Sequence, residues 1–190
     1  MSPPDYRALV HVSSILVPVL VESTSKFLII VGLVGVTSLY AGEELLRLRG
    51  WQVPLLSQFA LKMSRPEERS HFIAAPVFLA IGVISALILF PKAIAYSSIA
   101  IVAIGDPVAA YVGRRFGRGH DGKTWAGFAA GTLAAFTPTL LLVSPFVGAI
   151  GSIAGMILEL SGVLQDNLTI PLGSGVAMLA ATMVLAIIAH

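Results

Sequence analysis

The sequence predicts an all-α protein, a membrane-embedded bundle of about seven transmembrane helices whose N-terminus lies in the cytoplasm. Three observations predict this fold class: a mean hydropathy of +0.90, a charged fraction of only 12%, and apolar runs that recur along all 190 residues. Soluble domains contain roughly 25% charged residues. We therefore expect residues 1–190 to form one integral-membrane domain.

The seven spans are predicted from the lengths of the apolar runs, because a transmembrane helix needs about 20 apolar residues. The runs cover residues 9–21, 27–41, 71–90, 93–112, 125–143, 145–164 and 171–189, and the first two are short. Residues 42–69 form the one long stretch between spans. Its start alternates charged and apolar residues, as at a helix end on the membrane surface. Ser64 and Glu67 form a capping-box pattern before the third span.

The orientation is predicted from the basic residues, because cytoplasmic loops carry an excess of Lys and Arg. A cytoplasmic N-terminus leaves only Lys26 and Lys92 outside. The other ten of the 12 basic residues then lie inside: Arg7, Arg47, Arg49, Lys62, Arg65, Arg69, Arg114, Arg115, Arg118 and Lys123. We expect a multi-pass protein of the cell membrane, or of the endoplasmic reticulum if the source is eukaryotic.

Two classes of function are disfavoured by composition. A net charge of +2 is too small to indicate a nucleic-acid partner. The absence of cysteine excludes disulfides, thiolate metal sites and a cysteine nucleophile.

The most informative stretch is residues 105–127, which read GDPVAAYVGRRFGRGHDGKTWAG. Asp106 ends an apolar run, and Pro107 removes a hydrogen-bond donor, so the helix is expected to kink or restart with Asp106 as its N-cap. A restart would leave N–H groups that attract anions. The residues that share a helical face with Asp106 are small, which would let another molecule approach the backbone. They are Ala109, Ala110, Gly113 and Gly117. Together with the basic loop that follows, these features indicate phosphate chemistry.

Residues 117–124, GRGHDGKT, match the P-loop pattern. That motif works where it joins a strand to a helix, and here it joins two predicted membrane helices, so a P-loop domain is excluded. Gly122 still allows close backbone approach, Lys123 can meet a phosphate, and Thr124 can cap the fifth predicted span.

Further polar residues fall on the same predicted side of the membrane as Asp106. They are His11, Glu159, Asp166 and Asn167. An acid inside a membrane is costly to keep and is a functional candidate for that reason. Ordinary structural roles remain open for each: a histidine bonded to a carbonyl, a glutamate paired with an arginine, an Asp-Asn turn before a proline, and a plain N-cap at Asp106. Arg114, Arg115 and Arg118 could serve only to set the orientation.

These motifs resemble the CTP-dependent lipid-alcohol kinases, the family of dolichol kinase, phytol kinase and the yeast-type diacylglycerol kinase. The resemblance runs through nearly the whole chain. It consists of Arg7 with His11, residues 40–50, Arg65 with Glu67 and Glu68, GDPVAAYVGRRFG followed by Lys123, Thr124 and Gly127, and Glu159 with DNLTIPLGSG at 166–175.

The resemblance implies transfer of a phosphoryl group from CTP to a membrane-embedded isoprenoid or related lipid alcohol, of the dolichol or polyprenol type. The reaction would take place at the cytoplasmic face with a divalent metal, Mg²⁺ for preference. Phosphoryl transfer depends on positioning and charge neutralisation, and roles are predicted on that basis. Asp106, Lys123, Glu159 and Asp166 are the catalytic candidates, with Asp106 and Asp166 as metal ligands. Nucleotide contacts are predicted at Arg7, Gly113, Arg114, Arg115, Gly117, Gly122, Lys123 and Thr124, and contacts to the lipid alcohol at His11 and Asn167. Which acid is the base stays open.

Two alternatives compete with the kinase. A cytidylyltransferase would use CTP and a lipid phosphate to make a CDP-activated lipid. A small transporter would use Asp106 and a broken helix as its substrate site, although no second interruption of that kind occurs in the other half of the sequence. The lipid alcohol and the oligomeric state are not predicted.

Overall fold

The computed structural model describes residues 6–51, 61–62, 64, 69–116, 123–162 and 165–189, with the backbone alone at Tyr6. All regular structure in these residues is helical, which confirms the all-α prediction. The helices with both ends in these ranges are α1 (Tyr6–Ser13), α2 (Leu16–Ser23), α3 (Lys26–Leu48), α4 (Ala75–Leu89), α5 (Lys92–Ala100), α6 (Asp106–Phe116), α7 (Trp125–Thr139), α8 (Pro145–Ser161) and α9 (Asp166–Ile188). A π-helical turn, Ile101–Gly105, joins α5 to α6.

Three helices in this part of the chain are long and apolar enough to cross a membrane. They are α3, the continuous 25-residue helix Lys92–Phe116, and α9. The apolar helices α4 and α8 are shorter, with 15 and 17 residues. The chain therefore has the helices of a membrane protein, and the number of spans and their orientation stay predictions.

The first predicted span, residues 9–21, is divided into α1 and α2 by a turn at Ser14 and Ile15. Pro18 explains the break, because a proline ring clashes with the carbonyl four residues earlier, here that of Ser14. The Ser14 hydroxyl donates to the His11 carbonyl at 2.6 Å, and the Ser14 carbonyl accepts from Val17 instead. Each of the two helices has eight residues, too few to span a bilayer alone, so a crossing in this region needs both helices in series.

The centre of the bundle is the continuous helix formed by α5, the π-helical turn and α6. Residues Ile99–Ala103 on it are at most 2% exposed. Helices α7, α8 and α9 pack around the π-helical turn, and α1 packs across it. Asp106 therefore lies on the most buried of the three long apolar helices in the described part of the chain.

The predicted restart at Asp106 is wrong. Asp106 has ordinary helical geometry, with φ of −61° and ψ of −49°, and the helix runs through Pro107 without a new N-terminus. The π-helical turn just upstream explains how, since a change in hydrogen-bond spacing accommodates a proline that lacks an N–H. No row of free N–H groups is formed at Asp106, and the anion-binding helix end that the sequence suggested does not exist there.

The small residues of α6 serve a different purpose from the one predicted. Ala109 is 1% exposed and faces α7, where Gly127 and Gly131 lie against it. A Cβ atom on Gly127 would come within 2.6 Å of the Ala109 carbonyl oxygen. At Ala109 the predicted small-residue face is therefore closed by helix–helix packing and is not open to another molecule, whereas Gly117 lies outside the described residues.

Substitution of Gly127 by Ala is expected to destabilise the protein by about 1–3 kcal/mol, because the added methyl group meets backbone that cannot move aside cheaply. The thermal unfolding midpoint in detergent should fall by several degrees. Gly35→Ala in α3 is the matched control, since its Cβ would meet nothing within 4 Å, and its midpoint should stay level or rise. Equal midpoints for the two variants would contradict the close α6–α7 packing.

The charged end of α3 forms a polar anchor that the sequence did not reveal. The helix continues past the predicted span, which ended at residue 41, to Leu48, and Glu44 near its end is 1% exposed. Arg47 donates to both oxygens of Glu44 and to the carbonyls of Arg69 and His71, while Glu44 accepts from the Ile73 N–H at 2.8 Å. This network fixes the entry to α4 against α3. The predicted capping box is only partly described, because Glu67 lies outside the described residues.

Candidate active site

His11 and Asp106 form the first pair of the candidate site. His11, on α1, is 2% exposed, and its Nδ1 lies 2.9 Å from Asp106 Oδ2. The two atoms are in close contact, but their geometry is not that of an aligned hydrogen bond. Because α1 crosses the π-helical turn, the first helix of the chain brings its histidine onto the first residue of α6. Arg7, one turn before His11, is near enough to interact electrostatically with Asp106.

Lys123 links two acids from the other side of the site. Its Nζ lies 2.8 Å from Asp166 Oδ2 and 4.0 Å from Glu159 Oε1, and it also donates to the Glu159 carbonyl. Glu159 is 3% exposed, whereas the side chains of Lys123 and Asp166 are 26% and 23% exposed. The lysine therefore closes the gap between the end of α8 and the start of α9.

Gly162 is the residue that gives Lys123 this position, and the sequence analysis missed it. It ends α8 in the left-handed conformation, with φ of +59°, which glycine adopts without a Cβ penalty. A Cβ there would lie 3.2 Å from both Cδ and Cε of Lys123. The lysine stem thus crosses the glycine. Gly162 lies inside the predicted span 145–164, and the signal that would have found it is that a Gly after an apolar helical run marks a helix end.

Asn167 is the third component and joins α9 to α4. It is 2% exposed, and its Nδ2 donates to the Ala75 carbonyl at 2.7 Å. That bond fixes which way the amide points. Its Oδ1 has no hydrogen-bond partner among the described residues.

Two further buried oxygens lack partners within the described ranges, Glu159 Oε2 and Asp166 Oδ1. Buried acceptors are nearly always bonded in native proteins, and leaving one unpaired costs about 1–3 kcal/mol. Three unpaired oxygens on neighbouring side chains therefore indicate a site that accepts donors or a cation from a bound molecule.

A small cavity of about 20 Å³ lies next to Asn167. Its polar lining comes from Arg7, His11 and Asn167, and its walls are apolar, with Ile73 and Leu79 among them. A volume of about 15 Å³ admits one water-sized group. The cavity thus has room for a single hydroxyl group against an otherwise apolar surface.

Other predicted nucleotide contacts are dispersed. Gly113 is buried on α6, and Arg114 and Arg115 are exposed in its last turn, about 12 Å along the helix from Asp106. The Arg115 guanidinium lies 5.7 Å from the centre of the Phe116 ring. Thr124 caps α7 by accepting from the Gly127 N–H at 3.0 Å, as predicted. Gly117 and Gly122 lie outside the described residues.

The predicted metal ligands do not form a self-sufficient metal centre. Within the described part of the chain, no three His, Asp or Glu side chains come together as a group that could hold a metal ion. Mg²⁺ bound to a nucleotide needs only one or two carboxylates, because phosphate oxygens and water complete its shell. Asp106 and Asp166 suit that kind of site, and the unpaired Oδ1 of Asp166 is an available ligand.

A scan against protein-family models and searches among curated proteins and solved structures gave no match for this chain. The function is therefore inferred from the geometry of the site and from the sequence motifs.

Proposed function

We propose that this chain is a CTP-dependent lipid-alcohol kinase that phosphorylates an isoprenoid or related alcohol of the dolichol or polyprenol type. The observation that carries the proposal is the convergence of Asp106, Lys123, Glu159 and Asp166 at one end of the bundle, beside a hydroxyl-sized cavity. These residues come from α6, the α6–α7 connection, α8 and α9. Only 12% of the residues in this chain are charged. A cluster of charged side chains in such a chain is costly to bury, and this cost makes it a candidate functional site.

The charges of the site suit a metal-bound triphosphate. Three carboxyl groups, from Asp106, Glu159 and Asp166, face two basic side chains, Arg7 and Lys123. A free triphosphate would meet surplus negative charge, whereas a nucleotide carrying a divalent metal brings its own neutralising cation. Asp106 and Asp166 would hold that metal, and Lys123 would meet a phosphate oxygen as a point charge.

The acceptor hydroxyl fits the small cavity beside Asn167. The unpaired Oδ1 is a hydrogen-bond acceptor held in position by the bond from Nδ2 to Ala75, and an alcohol O–H is a donor of the right size. In the reaction the alcohol oxygen bonds to the γ-phosphorus, the bond from that phosphorus to the β,γ-bridging oxygen breaks, and CDP leaves. The alcohol proton passes to a carboxylate. His11 contacts the Asp106 carboxylate and holds it in position.

The alternatives have less support. A transporter built on a broken helix would need an interruption at Asp106, and the helix there is continuous. A cytidylyltransferase would use the same charges, so only the products distinguish it from the kinase.

The decisive assay uses purified protein, labelled CTP and a panel of lipid alcohols. We expect CDP and a lipid phosphate as products, dependence on a divalent metal, and a preference for CTP over ATP. Release of pyrophosphate with a CDP-lipid would replace the kinase by the transferase. Equal rates with ATP would reopen the identity of the nucleotide, and absence of any nucleotide turnover would reject both enzymes.

The proposed membrane arrangement has seven spans, with the N-terminus and the site on the cytoplasmic side. The chain lacks cysteine, so single cysteines can report sidedness. Thr24→Cys, between α2 and α3, and Phe116→Cys, at the end of α6, change exposed residues. In sealed membranes the first should react only with reagent on the outside and the second only from the cytoplasmic side. Reaction of both from one side would contradict this topology.

A further inference from the structure

A second polar cavity lies at the opposite end of the bundle from Asp106. Its volume is about 290 Å³, far larger than the cavity beside Asn167. Lys92 lines it and begins the same continuous helix that carries Asp106. Fourteen residues separate the two, which is about 20 Å along a helix axis. The cavity is therefore distinct from the candidate active site.

The lining combines an apolar floor with charged groups at the rim. Leu87, Phe90 and Ala95 contribute apolar surface, and Glu22, Lys26, Lys92 and Tyr96 contribute the polar groups. Sites that hold small ligands have this composition, a mainly apolar wall with few polar groups that fix orientation.

The polar groups of the cavity differ in how free they are to bind a ligand. Glu22 accepts from Lys92 at 2.8 Å and from the Tyr96 hydroxyl at 2.7 Å. The hydrogen bond from Lys92 and, to a lesser extent, the one from Tyr96 hold the pKa of Glu22 below its ordinary value. The Glu22 carboxylate is therefore ionised and balances the positive charge of Lys92. Lys26 makes a longer bond of 3.3 Å, to the Leu87 carbonyl, and an ammonium has three donors. Two ammonium groups against one carboxylate leave a net charge of +1, centred on Lys26.

The surroundings indicate what kind of anion fits. Phe27, next to Lys26, is 74% exposed, and Leu28 is 60% exposed. These residues belong to α3, one of the helices apolar enough to cross a membrane, so hydrocarbon chains surround the exposed apolar side chains that begin just after Lys26 once α3 is embedded. A ligand that enters the cavity from this side has an apolar tail beside a group of charge −1. The phosphodiester of a membrane phospholipid has that chemistry.

We propose that the cavity between the end of α2, the start of α3 and the start of α5 binds the phosphodiester headgroup of an anionic membrane phospholipid. Lys26 donates to the phosphate, the Glu22–Lys92–Tyr96 group forms the opposite wall, and the acyl chains extend from the cavity into the surrounding hydrocarbon. The site is independent of the proposed kinase reaction, because it shares no side chain with the Asp106 site.

The test is lipid binding to purified, delipidated protein, measured by native mass spectrometry. The probes are dioctanoyl-phosphatidylglycerol, dioctanoylglycerol with the same tails and no phosphate, and inorganic phosphate. Lys26→Gln removes the available charge from an exposed position, so it should fold normally. Arg49→Gln is the matched control, because it removes one exposed positive charge just past the other end of α3.

We expect saturable binding of phosphatidylglycerol to the natural chain and to Arg49→Gln. Affinity should fall at least about fivefold in Lys26→Gln, since a charge-assisted hydrogen bond is lost at a partly solvated site. Unchanged binding in Lys26→Gln would overturn the site. A loss of dioctanoylglycerol affinity in Lys26→Gln as large as the loss for phosphatidylglycerol would remove the phosphate contact, and equal binding of inorganic phosphate would replace the lipid by a soluble anion.

Discussion

Asp106→Asn is expected to lower turnover at least about a hundredfold while leaving the protein folded. Asparagine has the size of aspartate and keeps an oxygen near His11 Nδ1, which lies 2.9 Å from the carboxylate in the natural chain. What it loses is the negative charge. Whether Asp106 holds the metal on the phosphates or takes the alcohol proton, the reaction depends on that charge, and the expected loss is large in both cases.

The measurement is single-turnover phosphorylation with saturating CTP, alongside size-exclusion profiles and thermal unfolding. Ser98→Ala is the control, because it removes a buried polar group from the same central helix, a hydroxyl that donates to the Ala95 carbonyl. It should keep close to full activity. If Asp106→Asn retained more than roughly a tenth of natural turnover, the carboxylate would have only a structural role and the proposed site would lose its centre.

The sequence predicted the fold class because hydropathy and charge are properties of the whole chain. It also predicted that His11, Asp106, Glu159, Asp166 and Asn167 gather at one end, since each lies near the same end of an apolar run. The structure brings these residues together with Arg7 and Lys123. The positions of these residues near the ends of apolar runs were therefore enough to predict their proximity across more than 150 residues of chain.

Predictions from short sequence patterns were wrong where packing against other helices determines the local structure. Asp106 followed by Pro107 has the pattern of an N-cap, but a π-helical turn accommodates the proline inside a continuous helix that is mostly buried. Ala109 of α6 looked open to a ligand, and α7 packs against it at Gly127 and Gly131. The direction of the Lys123 side chain depends on the left-handed turn at Gly162, which lies 39 residues further along the chain. The residues next to Lys123 in the sequence therefore do not predict it.

Lys123→Met is the second variant with a large expected effect, a weakening of CTP binding by about tenfold or more. Methionine keeps much of the apolar stem that crosses Gly162 and removes the ammonium group, which meets a phosphate as a point charge. The same group lies 2.8 Å from Asp166 Oδ2 and donates to the Glu159 carbonyl. A drop in affinity could therefore arise from a lost phosphate contact or from two acids left without their partner.

A double variant separates these causes, because coupled residues show non-additive effects. Lys123→Met with Asp166→Asn removes the lysine and one of the negative charges that it balances. CTP affinity is measured by equilibrium binding, so that a loss of turnover from Asp166 does not enter. If Lys123 contacts the phosphate, the double variant should bind CTP as weakly as Lys123→Met or more weakly. Recovery to near the natural affinity would mean that Lys123 only neutralises Asp166, and the phosphate contact would then have to come from Arg7 or from the arginines at the end of α6.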